Sequence, residues 1–140
     1  MDDAHTDVPA RLAIVTGRLN RRLRSANGLL SHGLLSALAT ISKQGPVRLA
    51  ELAQLESVSA PSTTRLVAEL ESKGLVSREP DPADGRAVLL SITPAGEAAV
   101  AVARAARAAM VAELFEGLDT REIAVIATAV PALEKAIERF

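Results

Sequence analysis

The sequence contains no cysteine, and this absence excludes several kinds of chemistry at once. Without cysteine the chain has no disulfide, no thiolate nucleophile, no cysteine-bound metal and no thiol redox sensor. Tryptophan and tyrosine are also absent and only two phenylalanines occur, although 49% of the 140 residues are hydrophobic. The core of this single-domain-sized chain must therefore consist of Leu, Val, Ile and Ala, which favours closely packed helices over a sheet sandwich. We expect a mostly α protein.

Long uncharged apolar runs are missing as well. The nearest candidate for a membrane span of about eighteen residues is the stretch 98–112, and Arg104 and Arg107 interrupt it. The N-terminus also lacks the basic, apolar and small-residue order of a secretory signal. We therefore expect a cytoplasmic chain with no membrane partner.

Patterns that support catalysis or metal binding are scarce. The histidines are His5 and His32, which in a chain without cysteine are too few for a metal site. No nucleophile–base pair, phosphate-binding loop or carboxylate pair stands on a recognisable element. The sequence therefore predicts no enzyme, no metal and no cofactor.

Neither sign of charge dominates, since 16 Lys and Arg stand against 17 Asp and Glu, for a formal net charge of -1. The distribution is nevertheless uneven, because no acidic residue occurs between Val8 and Ala50. The cations of that stretch are Arg11, Arg18, Arg21, Arg22, Arg24, Lys43 and Arg48. The net charge alone does not indicate a nucleic-acid partner. The local excess of cations is nevertheless compatible with such a partner.

Hydrophobic periodicity and turn signals predict six helices and two strands. The helices are predicted over 9–27, from after Ser31 to the break at 44–47, over 49–56, from the N-cap Ser59 to Lys73, from 94 to about 117, and over 120–140. The strands are predicted over 75–79 and 87–93, around a turn-rich segment. A cluster of three helices closed by a two-stranded hairpin is a winged helix-turn-helix.

The last predicted helix carries a seam of apolar residues. They recur at spacings of three and four, at Ile123, Ile126, Val130, Leu133, Ile137 and Phe140. This spacing is typical of a helix that packs on another helix, and Pro131 within it is expected to kink or loosen the helix. A chain of this length has little spare core to cover the seam, so the pattern favours a dimer.

Two motifs are more specific than the order of elements. The first is LAELAQLESVSAPSTTRLVAELESKGLV, residues 49–76, and the second is REPDPADGRAVLLSITPAGE, residues 78–97. With both motifs in this order, the chain resembles the MarR family of bacterial transcription regulators from about Pro9 to Phe140. The second motif contains the family's Asp-x-Arg tip, followed by Leu-Ser-Ile-Thr and a glycine that opens the next helix.

The resemblance implies an obligate homodimer whose terminal helices intertwine and whose winged lobes reach adjacent major grooves of a near-palindromic operator in double-stranded DNA. Under this hypothesis residues 1–8 are a disordered tail, 9–30 an N-terminal dimerisation helix, 31–93 the DNA-binding lobe and 94–140 the C-terminal dimerisation helices. Many family members bind a small aromatic or phenolic acid between the dimerisation helices and the DNA-binding lobe, and then release DNA.

The resemblance therefore predicts a sequence-specific DNA-binding transcription regulator, expected to be a repressor that a small-molecule effector releases. The alternative is a winged-helix dimer that serves as an interaction module and does not read DNA. The net charge and the acids Glu69, Glu71, Glu79 and Asp81 favour this alternative, whereas Arg65 and Arg86 oppose it.

The helix that follows SVSAPS corresponds to the recognition helix of the family. Its bulky residues Leu66, Val67 and Leu70 lie within one arc and are expected to face the core. Arg65 lies on the opposite face, where a guanidinium suits bidentate hydrogen bonds to guanine O6 and N7. The predicted DNA contacts of this segment are Ser59, Pro61, Ser62, Thr64 and Arg65. The alternative for Arg65 is a solvated ion pair with Glu69, four residues on.

The tip of the predicted hairpin carries Asp84, Gly85 and Arg86. The minor groove has a negative potential that attracts an arginine, so Arg86 is the predicted minor-groove residue. Asp84 is expected to hydrogen-bond the guanidinium and hold it extended. Gly85 departs from the basic residue common at that position in the family, which removes one positive charge. The alternative for this pair is an exposed ion pair in a turn.

Candidate effector contacts are Arg18, Arg22 and His32. Arg18 and Arg22 flank the apolar face of the first predicted helix, where an arginine can bind an effector carboxylate. The alternative is that their aliphatic stems cover apolar surface. His32 begins the second predicted helix, as a structural residue or at the effector cleft.

Overall fold

The structure of the chain, a computed structural model, describes residues 7–139, and helices predominate in it as the sequence predicts. The helices are α1 (Val8–Leu23), α2 (His32–Gln44), α3 (Leu49–Glu56), α4 (Ala60–Ser72), α5 (Pro94–Phe115) and α6 (Thr120–Ile137). The strands are β1 (Val47–Arg48), β2 (Val76–Asp81) and β3 (Asp84–Ile92). Most of the predicted tail, residues 1–6, and the last seam residue, Phe140, lie outside the described residues.

Polar side chains cap the starts of four helices; one of them is Thr93 before α5, which accepts a hydrogen bond from the Gly96 N–H. Ser31 accepts a hydrogen bond from the backbone N–H of Leu34, and Ser59 accepts one from Ser62. Asp119 accepts from the backbone N–H of Glu122 (2.8 Å), whose carboxylate accepts in return from the Asp119 N–H (2.9 Å). Each cap satisfies an N–H that has no partner within its helix. The helix starts predicted at Ser31 and Ser59 are confirmed.

The ends of the first and last helices differ from the prediction in detail. The α-helical part of α1 ends at Leu23 instead of Asn27, and a 3₁₀ turn over Arg24–Ala26 completes the segment. α6 continues past Pro131 as far as Ile137, so the proline does not end it, and a kink there stays a prediction.

The sheet has three antiparallel strands in the order β1–β3–β2. The predicted wing is the pair β2–β3, with Val76 opposite Ile92. The sequence did not predict β1, in which Val47 lies opposite Leu90. Two residues are too short for a periodic pattern, so only pairing with β3 reveals this strand. The wing strands are also longer than predicted, since β2 reaches Asp81 and β3 starts at Asp84.

An aliphatic core joins α2, α3, α4, the first part of α5 and the sheet. Its buried members are Leu34, Ala37, Leu38, Ile41, Val47, Leu52, Val67, Leu70, Val76, Leu90 and Val100. Burial of each large aliphatic side chain contributes roughly 1.5–3 kcal/mol, so this cluster supplies most of the favourable free energy of folding for the lobe. The core consists of Leu, Val, Ile and Ala, as the composition predicts.

By its contacts the chain divides into two units, one up to Arg107 and one from Ala108 onward, with the division inside α5. In the second unit, α6 buries none of its residues. Its exposed large apolar side chains are Ile123, Val125, Val130, Leu133 and Ile137. None of the helices within residues 7–139 has the length and apolar character that crossing a membrane requires.

Candidate nucleic-acid interface

α4 presents two distinct faces. Thr63, Val67 and Leu70 are buried, and Leu66 is half-buried against the core. The opposite face is exposed, and it carries Pro61, Thr64, Arg65, Ala68 and Ser72. The orientation expected from helical periodicity is confirmed, so the outer face of α4 is free to enter a groove.

The hydroxyl groups at the start of α4 are already engaged within the helix. Ser59 Oγ caps the helix and also donates to Ser62 Oγ (2.9 Å), while Thr64 Oγ1 donates to the Ala60 carbonyl oxygen (2.9 Å). A hydroxyl has one proton to donate. Because Ser62 uses its oxygen as an acceptor here, its proton remains available for a phosphate, whereas the protons of Ser59 and Thr64 are already in use.

The guanidinium of Arg65 is exposed, and no carboxylate within residues 7–139 forms an ion pair with it. The alternative partner Glu69 instead lies 3.9 Å from Lys73 Nζ, one helical turn on. The expected alternative, an Arg65–Glu69 pair, is therefore not formed. Arg65 keeps its hydrogen-bond donors for a ligand that approaches the outer face of α4.

The wing tip places Asp84, Gly85 and Arg86 in solvent. Asp84 Oδ1 accepts a hydrogen bond from the backbone N–H of Arg86 at 3.1 Å. The expectation that Asp84 binds the Arg86 guanidinium is therefore wrong in this structure. The side chain of an aspartate is short, and its usual local partner is a backbone N–H two residues on, as seen here.

A second aspartate, Asp81, lies at the end of β2 and is buried, with 7% of its surface exposed. Its Oδ2 accepts from Arg48 Nε (2.8 Å) and Nη2 (2.6 Å), and its Oδ1 accepts from the Ala83 N–H (2.9 Å). The Ala83 hydrogen bond, followed by those from Arg48, lowers the pKa of Asp81 below its ordinary value. Sequence reasoning missed this pair because its members lie 33 residues apart.

Another ion pair links the wing to the recognition helix. Arg78 Nε lies 2.8 Å from Glu71 Oε2, and both side chains are partly exposed. Arg78 is in β2 and Glu71 is near the end of α4, so the base of the wing and the end of α4 are joined by a charged contact.

A cavity of about 280 Å³, lined by both polar and apolar residues, lies between α2 and α5. Its lining residues are His32, Leu35, Ser36, Ala39, Thr40, Lys43, Arg104 and Arg107. Arg107 Nε and Nη2 both donate to Asn27 Oδ1, at 3.0 and 2.6 Å, which fixes that guanidinium. Ser36 and Thr40 both donate to the carboxylate of Glu56.

Of the three candidate effector residues, His32 lines this cavity, whereas Arg18 and Arg22 are exposed on α1 and do not line it. Sequence reasoning did not select Lys43, Arg104 or Arg107, because their proximity depends on how α5 packs beside α2. Within residues 7–139, no three His, Asp or Glu side chains cluster as a metal site requires.

Comparison with known proteins identifies the family of this fold. The profile of the MarR family matches residues 30–88, a range that holds every predicted DNA contact. An HTH-type transcriptional regulator of Mycobacterium bovis is 37% identical over 131 residues, which cover 92% of each chain. The chain belongs to the MarR family. It is therefore a winged-helix member of a family of DNA-binding transcription regulators.

Two further proteins are similar to this chain. The structure of a MarR family protein from Bacillus stearothermophilus superposes with a TM-score of 0.81 at 21% identity, over 99% of this chain and 98% of that one, so it supports the MarR fold. The HTH-type transcriptional repressor MdtR of Bacillus subtilis is 29% identical over 104 residues, 74% of this chain and 67% of its own length.

Proposed function

We propose that this member of the MarR family is a homodimeric repressor that binds a near-palindromic operator and leaves it when a small-molecule effector binds. The observation that carries the proposal is the exposed guanidinium of Arg65 on the outer face of α4, which forms no ion pair with any carboxylate of residues 7–139. Arg86 on the wing of the same lobe supplies a second cation for DNA.

Each cation has its own task in this proposal. α4 enters the major groove, where Arg65 donates two hydrogen bonds to a guanine edge. Ser62 donates its available hydroxyl proton to a phosphate, and Ser59, Pro61 and Thr64 bring the small first turn of α4 close to the backbone. Arg86 enters the adjacent minor groove, and Gly85 beside it contributes no charge.

The dimer and the repressor role have separate support. Large apolar side chains of α1 and α6 are exposed to solvent in a single chain. A second copy of the chain would bury them, which favours a dimer. The name of the Bacillus subtilis relative, MdtR, describes that protein as a repressor. We infer that this chain also represses transcription.

The cavity between α2 and α5 supports an effector of the aromatic or phenolic acid class. Lys43, Arg104 and Arg107 supply positive charge for a carboxylate, and His32 lies at the same cavity. The cavity has no aromatic lining, so contact with Leu35 and Ala39 would hold an apolar ring without stacking. Arg18 and Arg22 remain predicted effector contacts on α1.

The first test is selection of bound genomic fragments by the purified chain, followed by titration of the recovered operator. Arg65→Ala should weaken operator binding by about 1–3 kcal/mol and relax the preference at one base pair of each half-site. Arg121→Ala on α6 is the matched control, since it removes the same charge outside the predicted interface. Equal affinity of wild type and Arg65→Ala on every duplex would contradict the reading role of α4.

The second candidate function is a winged-helix interaction module that does not read DNA. The exposed acids Glu69 and Glu71 on α4 favour it, because they repel phosphate. Binding of a random duplex that weakens as salt concentration rises would support the regulator, since released counterions produce that dependence. A chain that binds neither the random duplex nor any selected fragment at low salt would be the interaction module.

A further inference from the structure

The wing tip is poorly supported by its own strands. Pro80 lies opposite Val88, but the next residue, Asp81, lies opposite Asp84. Residues 85–87 of β3 therefore have no partner in β2, and Arg86 lies within this unpaired segment. Pro80 contributes to the irregularity because proline has no N–H for the ladder. Strand pairing alone does not hold Arg86 in place.

One carboxylate connects the tip to the body of the lobe. Asp81 is buried although the residues that follow it, 82–86, are all exposed. Through Oδ1 it holds the backbone of Ala83 in the turn, and through Oδ2 it holds the guanidinium of Arg48. Both oxygens are thus occupied, and every one of these hydrogen bonds is charge-assisted.

Arg48 is itself firmly attached to the helix-turn-helix. It lies in β1, opposite Leu89 of β3, and it is the residue that precedes α3. The chain from Arg48 through Asp81 to Ala83 therefore joins the start of α3 to the turn that leads into Arg86. Removal of the link would leave the unpaired segment 85–87 attached to the body of the lobe only through the paired residues of β3 that follow it.

We propose that Arg48 and Asp81 are positioning residues for DNA binding, which hold the wing tip so that Arg86 reaches the minor groove. The inference rests on the proposed function, since it assumes that the wing contacts DNA. In the bound state Arg48 also neutralises Asp81, a carboxylate that would otherwise repel the phosphates nearby. The sequence-specific contact of α4 is not part of this role.

The test is a double-mutant cycle on DNA affinity with four chains: wild type, Asp81→Asn, Arg86→Ala and the double variant. Asparagine still accepts the hydrogen bond from Ala83 but loses the ion pair with Arg48. Asp81→Asn should weaken operator binding on the order of tenfold, a coupling typical of groups in one network. In the Arg86→Ala background the same substitution should change affinity by less than about twofold, because its effect passes through Arg86.

A matched control and a structural readout accompany the cycle. Glu71→Gln breaks the other Arg–carboxylate pair of the wing, which does not touch the tip, and should not weaken binding. Amide hydrogen exchange without DNA should become faster at residues 83–87 in Asp81→Asn and stay unchanged there in Glu71→Gln. Arg48→Lys keeps the positive charge but cannot donate from two guanidinium nitrogens to Asp81. It should therefore lose less operator affinity than Arg48→Met.

Four results would overturn the inference. An equal loss in both backgrounds would mean that the pair supports the lobe generally and does not act through Arg86. Tighter binding by Asp81→Asn would mean that Arg48, once released, contacts DNA directly. Unchanged amide hydrogen exchange at residues 83–87 in Asp81→Asn would mean that other contacts hold the tip. This result does not depend on whether the chain binds a duplex. Loss of operator binding in Arg65→Ala with no effect of Asp81→Asn would leave the proposed function standing and reject only this inference.

Discussion

At the scale of single residues, the two aspartates of the wing have different tasks although they stand three positions apart. Asp81 is buried and pairs with Arg48, whereas Asp84 is exposed and accepts the backbone N–H of Arg86. Sequence reasoning assigned Asp84 a role at the tip and assigned Asp81 none. Their hydrogen-bond partners distinguish them: Asp81 connects the wing tip to Arg48, whereas Asp84 only holds the backbone at Arg86.

Substitutions at Asp84 separate its charge from its hydrogen bond. Asp84→Asn keeps the acceptor for the Arg86 N–H, so DNA affinity should be unchanged or slightly higher after loss of the negative charge. Asp84→Ala removes the acceptor and should weaken binding, but less than Arg86→Ala does. Competition titrations on one operator measure all three variants, and equal affinities of the Asn and Ala variants would show that the hydrogen bond is irrelevant to binding.

Arg86→Ala has a signature of its own. The substitution should lower the slope of log affinity against log salt concentration by about one per lobe, because one displaced counterion is lost. The loss should be largest where the flanking minor groove is narrow and A·T-rich. Titration at several salt concentrations, on operators that differ only in the flanks, checks both points; a loss that is independent of the flanks would place Arg86 outside the minor groove.

At the scale of elements, the start of α5 is fitted closely against the end of α4 and the wing. Thr93 Oγ1 accepts from the Gly96 N–H (3.1 Å) and donates to the Gly74 carbonyl (2.6 Å). A Cβ on Gly96 would overlap the Leu75 carbonyl oxygen and lie 2.6 Å from Ile92 Cγ1. The glycine is therefore required by the close approach of three segments.

Gly96→Ala should accordingly destabilise the fold by about 1–3 kcal/mol, the usual effect of overpacking. Gly33→Ala in α2 is the control, since its Cβ would make an ordinary 3.6 Å contact with Leu66 Cδ2. That variant should be neutral or more stable by up to about 1 kcal/mol, from helix propensity. Urea unfolding measures both free energies, and a stable Gly96→Ala would show that the backbone at Leu75 yields easily.

The contribution of Asp81 in the wing to the free energy of unfolding should decrease in acid. The hydrogen bond from Ala83 and the Arg48 guanidinium lower the pKa of Asp81 in the folded chain, so the ionised form favours folding. This stabilisation is complete above the unfolded pKa of about 3.9 and disappears as pH falls through the lower folded value. The difference in unfolding free energy between wild type and Asp81→Asn should therefore shrink below about pH 4. A difference that stays constant into strong acid would contradict the pairing.

At the scale of the whole molecule, the proposed dimer would bury apolar side chains that are exposed in a single chain. α1 and α6 each contain no buried residue, and both carry large exposed aliphatic side chains. Ile137 is 73% exposed, so a charge there would cost an isolated chain little. In a dimer that covers this side chain, the same charge would be buried at the interface.

Ile137→Glu should therefore lower the mass in solution from twice 14.6 kDa toward that of one chain. Lys135→Glu is the control, because it introduces the same residue on α6 at a position that is already charged. Light scattering coupled to size-exclusion chromatography measures the masses. A wild-type chain that runs as a monomer at micromolar concentration would reject the dimer, and an unchanged mass for Ile137→Glu would exclude this part of α6 from the interface.

The sequence by itself determined the features that depend on a few neighbouring residues. Ser59 and Thr93 mark helix starts because a cap acts within three positions of itself, and Val67 and Leu70 face inward because helical periodicity sets their direction. Only the tertiary structure decided contacts between distant segments: β1 against β3, Arg48 with Asp81, and Arg107 with Asn27, 80 residues away. Such contacts depend on how whole elements pack, and no local pattern encodes the distance between two side chains on different elements.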